Sequence, residues 1–174
     1  MITMVIGGSA SGKSAYAEQL ACGLPGRRIY LATMQPFGQS AEERIAKHRA
    51  MRQGKGFETA ECTGVLEIQQ MDVRDATILL EDLPNLVANE LFSTEGGSVE
   101  GVYEGVVSAI RSLAAQAAHL VIVTGDLASD GCDYGEATRM YLQVLGRLQN
   151  TIAAEADELW EVVAGIPQLW KEKE

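Results

Sequence analysis

Eight consecutive residues near the start of the chain have the types and spacing of a phosphate-binding loop. They read Gly7-Gly8-Ser9-Ala10-Ser11-Gly12-Lys13-Ser14, which matches the pattern G-x-x-x-x-G-K-[ST] at every fixed position. Glycines let the backbone curl so that several N–H groups point at one phosphate. The lysine of the pattern reaches the β- and γ-phosphates, and the hydroxyl after it is a ligand for Mg²⁺. The motif predicts a site for a nucleoside triphosphate and Mg²⁺, with Lys13 stabilising phosphate charge and Ser14 on the metal.

Two acidic residues, Glu81 and Asp82, follow the apolar run Ile78-Leu79-Leu80. A carboxylate at the carboxyl end of a strand beside a phosphate loop holds Mg²⁺ directly or through water. Successive side chains of a strand point to opposite faces, so only one of the two acids points at the nucleotide. The residues themselves leave open which acid that is, and a solvated acidic turn is the alternative interpretation.

A basic segment places a histidine between arginines. Arg44, His48 and Arg52 are spaced four residues apart, so on a helix they lie along one face. Flanking arginines disfavour the imidazolium form, which leaves a neutral imidazole able to act as a nucleophile. The same guanidinium groups can hold phosphate oxygens while the imidazole attacks phosphorus, which is covalent nucleotidyl transfer. Taken alone, the pattern favours the alternative of a solvated basic helix face.

Apolar runs that alternate with helical stretches position these groups. We predict strands at Thr3–Ile6, Arg28–Thr33, Thr77–Glu81, Leu120–Thr124 and Glu158–Ala164, and helices at Lys13–Cys22, Ala41–Arg52, Leu86–Phe92, Val99–Ala118 and Gly135–Glu155. The strands are rich in Val, Ile and Leu and mostly lack alternation, as expected for strands buried on both faces of a parallel sheet. The sequence therefore predicts an α/β fold with a mostly parallel central sheet, helices on both faces, and a single domain over residues 1–174.

Composition narrows the classes of function. The net charge is −10, which disfavours a nucleic-acid-binding surface. No apolar run approaches the roughly 20 residues that span a bilayer, and the first apolar run reads as a core strand and not as a signal peptide. The cysteines, Cys22, Cys62 and Cys132, are widely spaced and read as reduced thiols. We therefore expect a cytoplasmic protein that acts on small molecules.

Further segments in a fixed order support a resemblance that covers nearly the whole chain. After the phosphate loop come Ile29–Thr33, Arg44-Ile45 with His48-Arg49, Thr59–Cys62, Ile78–Glu81 with Asn89, and Ala156-Asp157 with Val162–Pro167. In the residues and the order of these segments, the chain resembles the bifunctional adenosylcobinamide kinase / adenosylcobinamide-phosphate guanylyltransferase family of cobalamin biosynthesis.

The resemblance implies a RecA-like P-loop NTPase fold and two reactions. The first phosphorylates the aminopropanol hydroxyl of adenosylcobinamide with ATP or GTP, and the second moves GMP from GTP to that phosphate. The family's guanylylated histidine falls on His48, and from the residue chemistry above we expect Ser14 and Glu81 to place Mg²⁺. The nucleotide contacts fall on the phosphate loop and on Ala32, Thr33, Met34, Arg49, Ala50, Met51, Arg52, Glu61 and Glu81. The family also implies a homotrimer.

Two other functions stay open at this point. The chain could be a diverged P-loop kinase that retains one half-reaction, or a nucleotide-binding regulatory module without turnover. Ala10 stands where the family usually has arginine, and Gly125–Ala128 replaces its Asn-Glu-Val-Gly. Against the regulatory module, a pure sensor has no use for a nucleophile such as His48.

Overall fold

The computed structural model describes residues 1–35, 46, 49–50, 52–93, 97–126 and 134–173, and a seven-stranded sheet forms its centre. The strands are β1 (Ile2–Gly7), β2 (Arg28–Ala32), β3 (Phe57–Glu61), β4 (Thr77–Glu81), β5 (His119–Gly125), β6 (Glu158–Val163) and β7 (Ile166–Glu172). Their order across the sheet is β3-β2-β4-β5-β1-β6-β7. All neighbours are parallel except β6 and β7, which form an antiparallel hairpin. The mostly parallel sheet predicted from the apolar runs is confirmed.

Helices cover both faces of this sheet, also as predicted. They are α1 (Lys13–Gly23), α2 (Val65–Gln69), α3 (Leu83–Leu91), α4 (Val99–Gln116) and α5 (Glu136–Glu155). Helix α1 packs Ala17 and Ala21 on one face of the central strands, whereas α2 to α5 pack on the other. Helix α4 buries Val102, Val106 and Ile110 there, at the spacing of one helix face. Burial of these two apolar layers is the main stabilising term for such a fold.

The central strands are buried on both faces, which explains their lack of alternation. In β4, Ile78 and Leu80 belong to the larger core cluster, and Leu79 belongs to the cluster beneath α1. All five residues of β4 are buried. A strand in this position must be apolar at every step, because neither face meets water.

Three elements were not predicted from the sequence. Strand β3 (Phe57–Glu61) is a partly exposed edge strand with two glutamates, α2 has only five residues, and β7 carries a proline, a glutamine and charges. None of them has an apolar run long enough to be recognised. Of the predicted helix Ala41–Arg52, residues 46, 49, 50 and 52 are described, and they are helical.

The end of β7 is held against the last turn of α5. Lys171 and Glu172 end β7, and Lys171 Nζ donates to the carbonyl oxygens of Ala153 and Ala154 at 2.9 and 2.8 Å. These carbonyls lie in the last turn of α5, where no intrahelical donor remains. The tail therefore closes the end of a helix.

Among the described residues, none of the helices is long and apolar enough to cross a membrane.

Candidate active site

The phosphate loop connects β1 to α1 at the carboxyl edge of the sheet. Ala10 and Gly12 have φ angles of 55° and 94°, so the loop curls through the left-handed region twice. Gly12 is the N-cap of α1 and has no side chain to accept from the first-turn amides, which leaves them for an anion. At Gly7, a Cβ would lie 2.5 Å from Ser11 Oγ and 2.6 Å from the carbonyl oxygen of Val162. The start of the loop therefore accepts only glycine without moving.

Ser14 and Glu81 meet beside this loop. Ser14 Oγ donates to Glu81 Oε1 at 2.6 Å, and Glu81 is 8% exposed. Its other oxygen, Oε2, is buried and has no hydrogen-bond partner in the described part of the chain. A hydroxyl beside an unsatisfied carboxylate oxygen is a donor set that fits Mg²⁺.

The second acid, Asp82, has a different task. Its side chain accepts from the backbone N–H of Asn85 at 2.9 Å and so caps the N-terminus of α3. The question left open by the sequence is thereby answered in geometric terms, because Glu81 is the acid beside Ser14 and Asp82 is a helix cap.

Burial raises the pKa of Glu81 to about 8. Desolvation is the largest cause and the nearby charge of Asp82 adds to it, whereas the hydrogen bond from Ser14 and the charge of Lys13 oppose it. Lys13 itself donates from Nζ to the carbonyl oxygen of Gly8 at 3.2 Å. A cation at Oε2 would stabilise the ionised carboxylate that burial disfavours.

Thr33, predicted as a nucleotide contact, is fully buried and ties β2 to the end of β4. Its Oγ1 accepts from the backbone N–H of Asp82 at 2.8 Å, and its backbone N–H donates to the carbonyl of Glu81 at 3.1 Å. Asn89 Nδ2 donates to the carbonyl of Thr33 at 2.7 Å. The Thr33 side chain thus holds the backbone that carries Glu81. Its neighbours Ala32 and Met34 are half-buried.

Two of the predicted nucleotide contacts, Arg49 and Glu61, pair at the end of β3. Arg49 donates a hydrogen bond to Glu61, and both side chains are largely exposed. An open cavity of about 700 Å³ is lined by Arg49, Arg52 and Glu61 together with Phe57 and Thr59. It combines guanidinium groups, a carboxylate and an aromatic ring, which suits a nucleotide.

The strand register relates this cavity to the phosphate loop. Ala32 at the end of β2 is paired with Glu61 on one side and with Glu81 on the other. Both glutamates therefore lie at the carboxyl edge of the parallel strands, where ligands of open α/β sheets bind.

Arg52 is buried, which the sequence could not indicate. It is 7% exposed, and its guanidinium carbon lies 3.6 Å from the centre of the Tyr30 ring. Such a cation–π contact fixes the plane of the guanidinium. Burial of Tyr30 is the main reason why the pKa of its hydroxyl is raised.

An ion pair that sequence reasoning missed joins Lys55 to α1. Lys55 Nζ lies 2.5 Å from Glu18 Oε2, and the Glu18 side chain is 1% exposed whereas that of Lys55 is 40% exposed. Glu18 follows Ser14 by four residues and so shares its helix face. That spacing was the only available signal, because the burial of Glu18 depends on elements distant in sequence.

Most predicted site residues thus gather at one edge of the sheet. The phosphate loop, Ser14 and Glu81 form one group, and Arg49, Arg52 and Glu61 form another, with the exposed Ala50 beside it. His48 and Met51 lie outside the described residues.

A model of one protein family matches residues 3–169, and its description is cobinamide kinase / cobinamide phosphate guanyltransferase. The chain belongs to this family. The family inferred from the sequence motifs is thereby confirmed, and the match spans both groups of site residues.

Curated relatives agree with membership of the cobinamide kinase / guanyltransferase family. The bifunctional adenosylcobalamin biosynthesis protein CobU of Salmonella typhimurium is 30% identical over 95% of this chain and 97% of its own length. The Escherichia coli K12 protein of the same name is 29% identical with the same coverage. The bifunctional adenosylcobalamin biosynthesis protein CobP of Pseudomonas aeruginosa is 27% identical over 96% of this chain and 95% of its own length. All three relatives are named as bifunctional. In each comparison the similarity covers nearly the whole of this chain and nearly the whole of the relative.

Solved structures show the fold that this family member shares with more distant proteins. The flagellar accessory protein FlaH from Methanocaldococcus jannaschii superposes with a TM-score of 0.52 at 12% identity, covering 99% of this chain and 78% of FlaH. An ATPase of a bacterial type III secretion system superposes with a TM-score of 0.56 at 10% identity, covering 92% of this chain and 50% of the ATPase. At these identities the likeness concerns the fold alone, and it confirms the P-loop NTPase fold.

Proposed function

We propose that this chain is a bifunctional enzyme of cobalamin biosynthesis. It phosphorylates adenosylcobinamide with ATP or GTP and then transfers GMP from GTP to the product, which gives adenosylcobinamide-GDP and pyrophosphate. Family membership over residues 3–169 supports the pair of reactions. The observation that carries the chemistry is the contact of Ser14 with buried Glu81 beside a complete phosphate loop.

In the kinase reaction, the loop amides and Lys13 bind the phosphates of the donor. The acceptor hydroxyl attacks the γ-phosphorus, the bond from that phosphorus to the β-γ bridging oxygen breaks, and a nucleoside diphosphate leaves. Ser14 and Glu81 would hold Mg²⁺, which would neutralise negative charge on the phosphates of the donor. The unsatisfied Oε2 of Glu81 supports this metal site.

In the guanylyl transfer, His48 is the proposed nucleophile. One imidazole nitrogen forms a bond to the α-phosphorus of GTP, and the bond from that phosphorus to the α-β bridging oxygen breaks to release pyrophosphate. The phosphate of the acceptor then attacks the same phosphorus and frees the histidine. Arg49 and Arg52 would clamp the nucleotide, with Glu61 at the cavity wall.

The test follows label from GTP to the protein. Purified protein with Mg²⁺ and α-labelled GTP is expected to form an acid-labile, base-stable adduct, whereas γ-labelled GTP leaves no label on the protein. His48→Ala should abolish the adduct. The chain has only two histidines, so His119→Ala, at the start of β5, is the matched control and should retain the adduct.

Other results would select the alternatives. Transfer of γ-label to adenosylcobinamide without any protein adduct would indicate a kinase that retains one half-reaction. Binding of GTP without transfer of either label would indicate a nucleotide-binding regulatory module.

Three further properties are part of the proposal. They are a single domain over residues 1–174, a homotrimer and a cytoplasmic location, and they are supported by the family resemblance and by the composition. Light scattering coupled to size exclusion measures the number of chains in the particle, and a monomer or dimer would contradict the trimer. Fractionation of cells that express the protein tests the location.

A further inference from the structure

A tight turn after Arg52 brings Lys55 against helix α1. The backbone N–H of Lys55 donates to the carbonyl oxygen of Arg52 at 3.0 Å. Gly54 and Gly56, on either side of Lys55, have φ angles of 80° and 73°, a left-handed conformation that glycine adopts without strain. The Lys55 side chain leaves this turn toward α1, where its Nζ lies 2.5 Å from Glu18 Oε2. The backbone of the turn therefore holds Lys55 and Arg52 in a fixed relation.

Glu18 connects this turn to the phosphate site. It follows Ser14 by one helical turn in α1, so the two side chains lie on the same helix face. Ser14 is the residue whose hydroxyl meets Glu81. Glu18 is 1% exposed, and a carboxylate so far from water needs an opposite charge close by. The ion pair with Lys55 therefore attaches the turn to the helix that carries the proposed metal hydroxyl.

The ring of Tyr30 lies between these charged groups. The guanidinium of Arg52 packs on one face of the ring, as described above. Burial is the main cause of the raised pKa of the Tyr30 hydroxyl, the charges of Glu81 and Glu18 raise that pKa further, and Arg52 lowers it. Such charges act on one hydroxyl only from a short distance. Glu18, Arg52 and the proposed metal acid are therefore neighbours around Tyr30.

Arg52 also lines the cavity proposed for the guanylyl donor, together with Arg49 and Glu61. Arg49 is largely exposed, whereas Arg52 is buried and held from two sides, by the ring of Tyr30 and by the turn that ends at Lys55. A guanidinium that clamps phosphate oxygens works only in a defined orientation, because its paired hydrogen bonds are directional. The arrangement therefore gives Arg52 a fixed place relative to the phosphate loop.

We propose that Lys55 and Glu18 are positioning residues for guanylyl transfer, because their ion pair sets the place of Arg52 in the cavity. This inference rests on the guanylyl-transfer part of the proposed function and adds two residues to it. Neither residue touches the nucleotide, and both act through Arg52. The phosphoryl donor of the kinase reaction is bound by the phosphate loop and Lys13, so that reaction does not depend on the ion pair.

The experiment compares the two reactions in the same variant. Adduct formation from α-labelled GTP and phosphorylation of adenosylcobinamide by γ-labelled ATP are each measured over a range of nucleotide concentrations. For each reaction, the ratio of the maximal rate to the half-saturating concentration reports the binding of its transition state.

In Lys55→Met the ratio for adduct formation should fall about tenfold, while the ratio for the kinase reaction stays within about twofold of the wild type. The loss is smaller than the roughly 100-fold cost of a full 1 Å misplacement, because Tyr30 still holds one face of Arg52. Lys55→Arg keeps the positive charge and should restore most of adduct formation. Glu18→Gln, which removes the other half of the pair, should lower the same ratio and spare the kinase reaction.

Lys173→Met is the matched control. Lys173 also pairs with a carboxylate, that of Asp157 at 3.0 Å, and its side chain is 52% exposed. It lies at the end of the chain and has no proposed role in either reaction, so both ratios should stay at the wild-type values. Thermal unfolding shows that each variant is folded at the temperature of the assay.

Three results would overturn the inference. They are unchanged adduct formation in Lys55→Met, a parallel loss of both reactions in folded Lys55→Met and Glu18→Gln, and an equal loss in Lys55→Arg and Lys55→Met. Each of them, with an adduct on the wild type, leaves the proposed function standing. Absence of the adduct on the wild type would instead contradict guanylyl transfer itself, and the inference with it.

Discussion

The Glu18–Lys55 pair allows a sharp prediction, because its two members are buried to very different extents. Glu18 is 1% exposed and Lys55 is 40% exposed, and Glu18 Oε1 is buried without a hydrogen-bond partner in the described part of the chain. Removing the lysine leaves a carboxylate away from water without the ion-pair partner that it has in the described part of the chain. Removing the carboxylate leaves a lysine that can turn into water. The two single substitutions should therefore have unequal costs.

The expected magnitudes follow from this difference. Loss of one partner that leaves a buried charge unpaired costs about 3–5 kcal/mol. Because Lys55 is partly exposed and its attraction is screened, we expect the lower end of that range for Lys55→Met, about 3 kcal/mol of the free energy of unfolding. Glu18→Gln should cost about 1 kcal/mol, as for an ordinary lost interaction. The double variant should be more stable than Lys55→Met alone, because the unpaired charge has been removed.

Urea unfolding at pH 7 measures the free energy of unfolding of all three variants against the wild type. The dependence of this free energy on urea concentration is held the same for every protein. The control is the exposed pair Asp72 and Arg74, where Asp72→Asn and Arg74→Met should leave the midpoint unchanged. The reasoning is refuted if Glu18→Gln costs as much as Lys55→Met, or if the double variant is the least stable of the three.

Two more predictions concern stability near the metal acid. The pKa of Glu81 is raised to about 8 in the folded protein from the ordinary 4.5. Its favourable contribution to the free energy of unfolding is therefore fully present below pH 4.5. It is lost as the pH rises to 8, by about 1.4 kcal/mol per pH unit. In urea unfolding without metal or nucleotide, Glu81→Gln should flatten the pH dependence over this window, and parallel profiles for wild type and variant would contradict the assignment. Thr33→Val removes a buried hydroxyl that accepts from the backbone N–H of Asp82, and it should lower the free energy of unfolding by about 2 kcal/mol. Thr59→Val, on the exposed edge strand, is the control in the same urea unfolding assay. Equal effects at the two threonines would show that the Thr33 hydroxyl does not hold the strand ends together.

The elements predicted well are those whose signal is local. Strand β4 was predicted with its observed bounds, because a strand buried on both faces must be apolar at every position. Helix α1 follows the phosphate loop directly, and its start is set by the motif. Edge strands β3 and β7 gave no such signal, since one side of each faces water and polar residues are allowed there.

The residues of the candidate site also fall into two groups, those with a local sequence signal and those that depend on contacts between distant segments. The phosphate loop is contiguous in sequence, so its residues and the ligands expected for them follow from the pattern alone. The choice between Glu81 and Asp82 needed the structure, because it depends on which side chain meets Ser14, 67 residues away. The burial of Glu18 beside Lys55 likewise depends on contacts between segments 37 residues apart.

The fold class, the phosphate-loop motif and the family could be predicted without the structure, because each depends on contiguous motifs or on the pattern of apolar residues along the chain. The three-dimensional structure was needed to show which acid meets Ser14, that Arg52 packs on Tyr30, and that the β6–β7 turn touches the phosphate loop. The physical reason is that burial and the partners of a polar group are properties of surfaces brought together from distant parts of the chain. No local pattern records them.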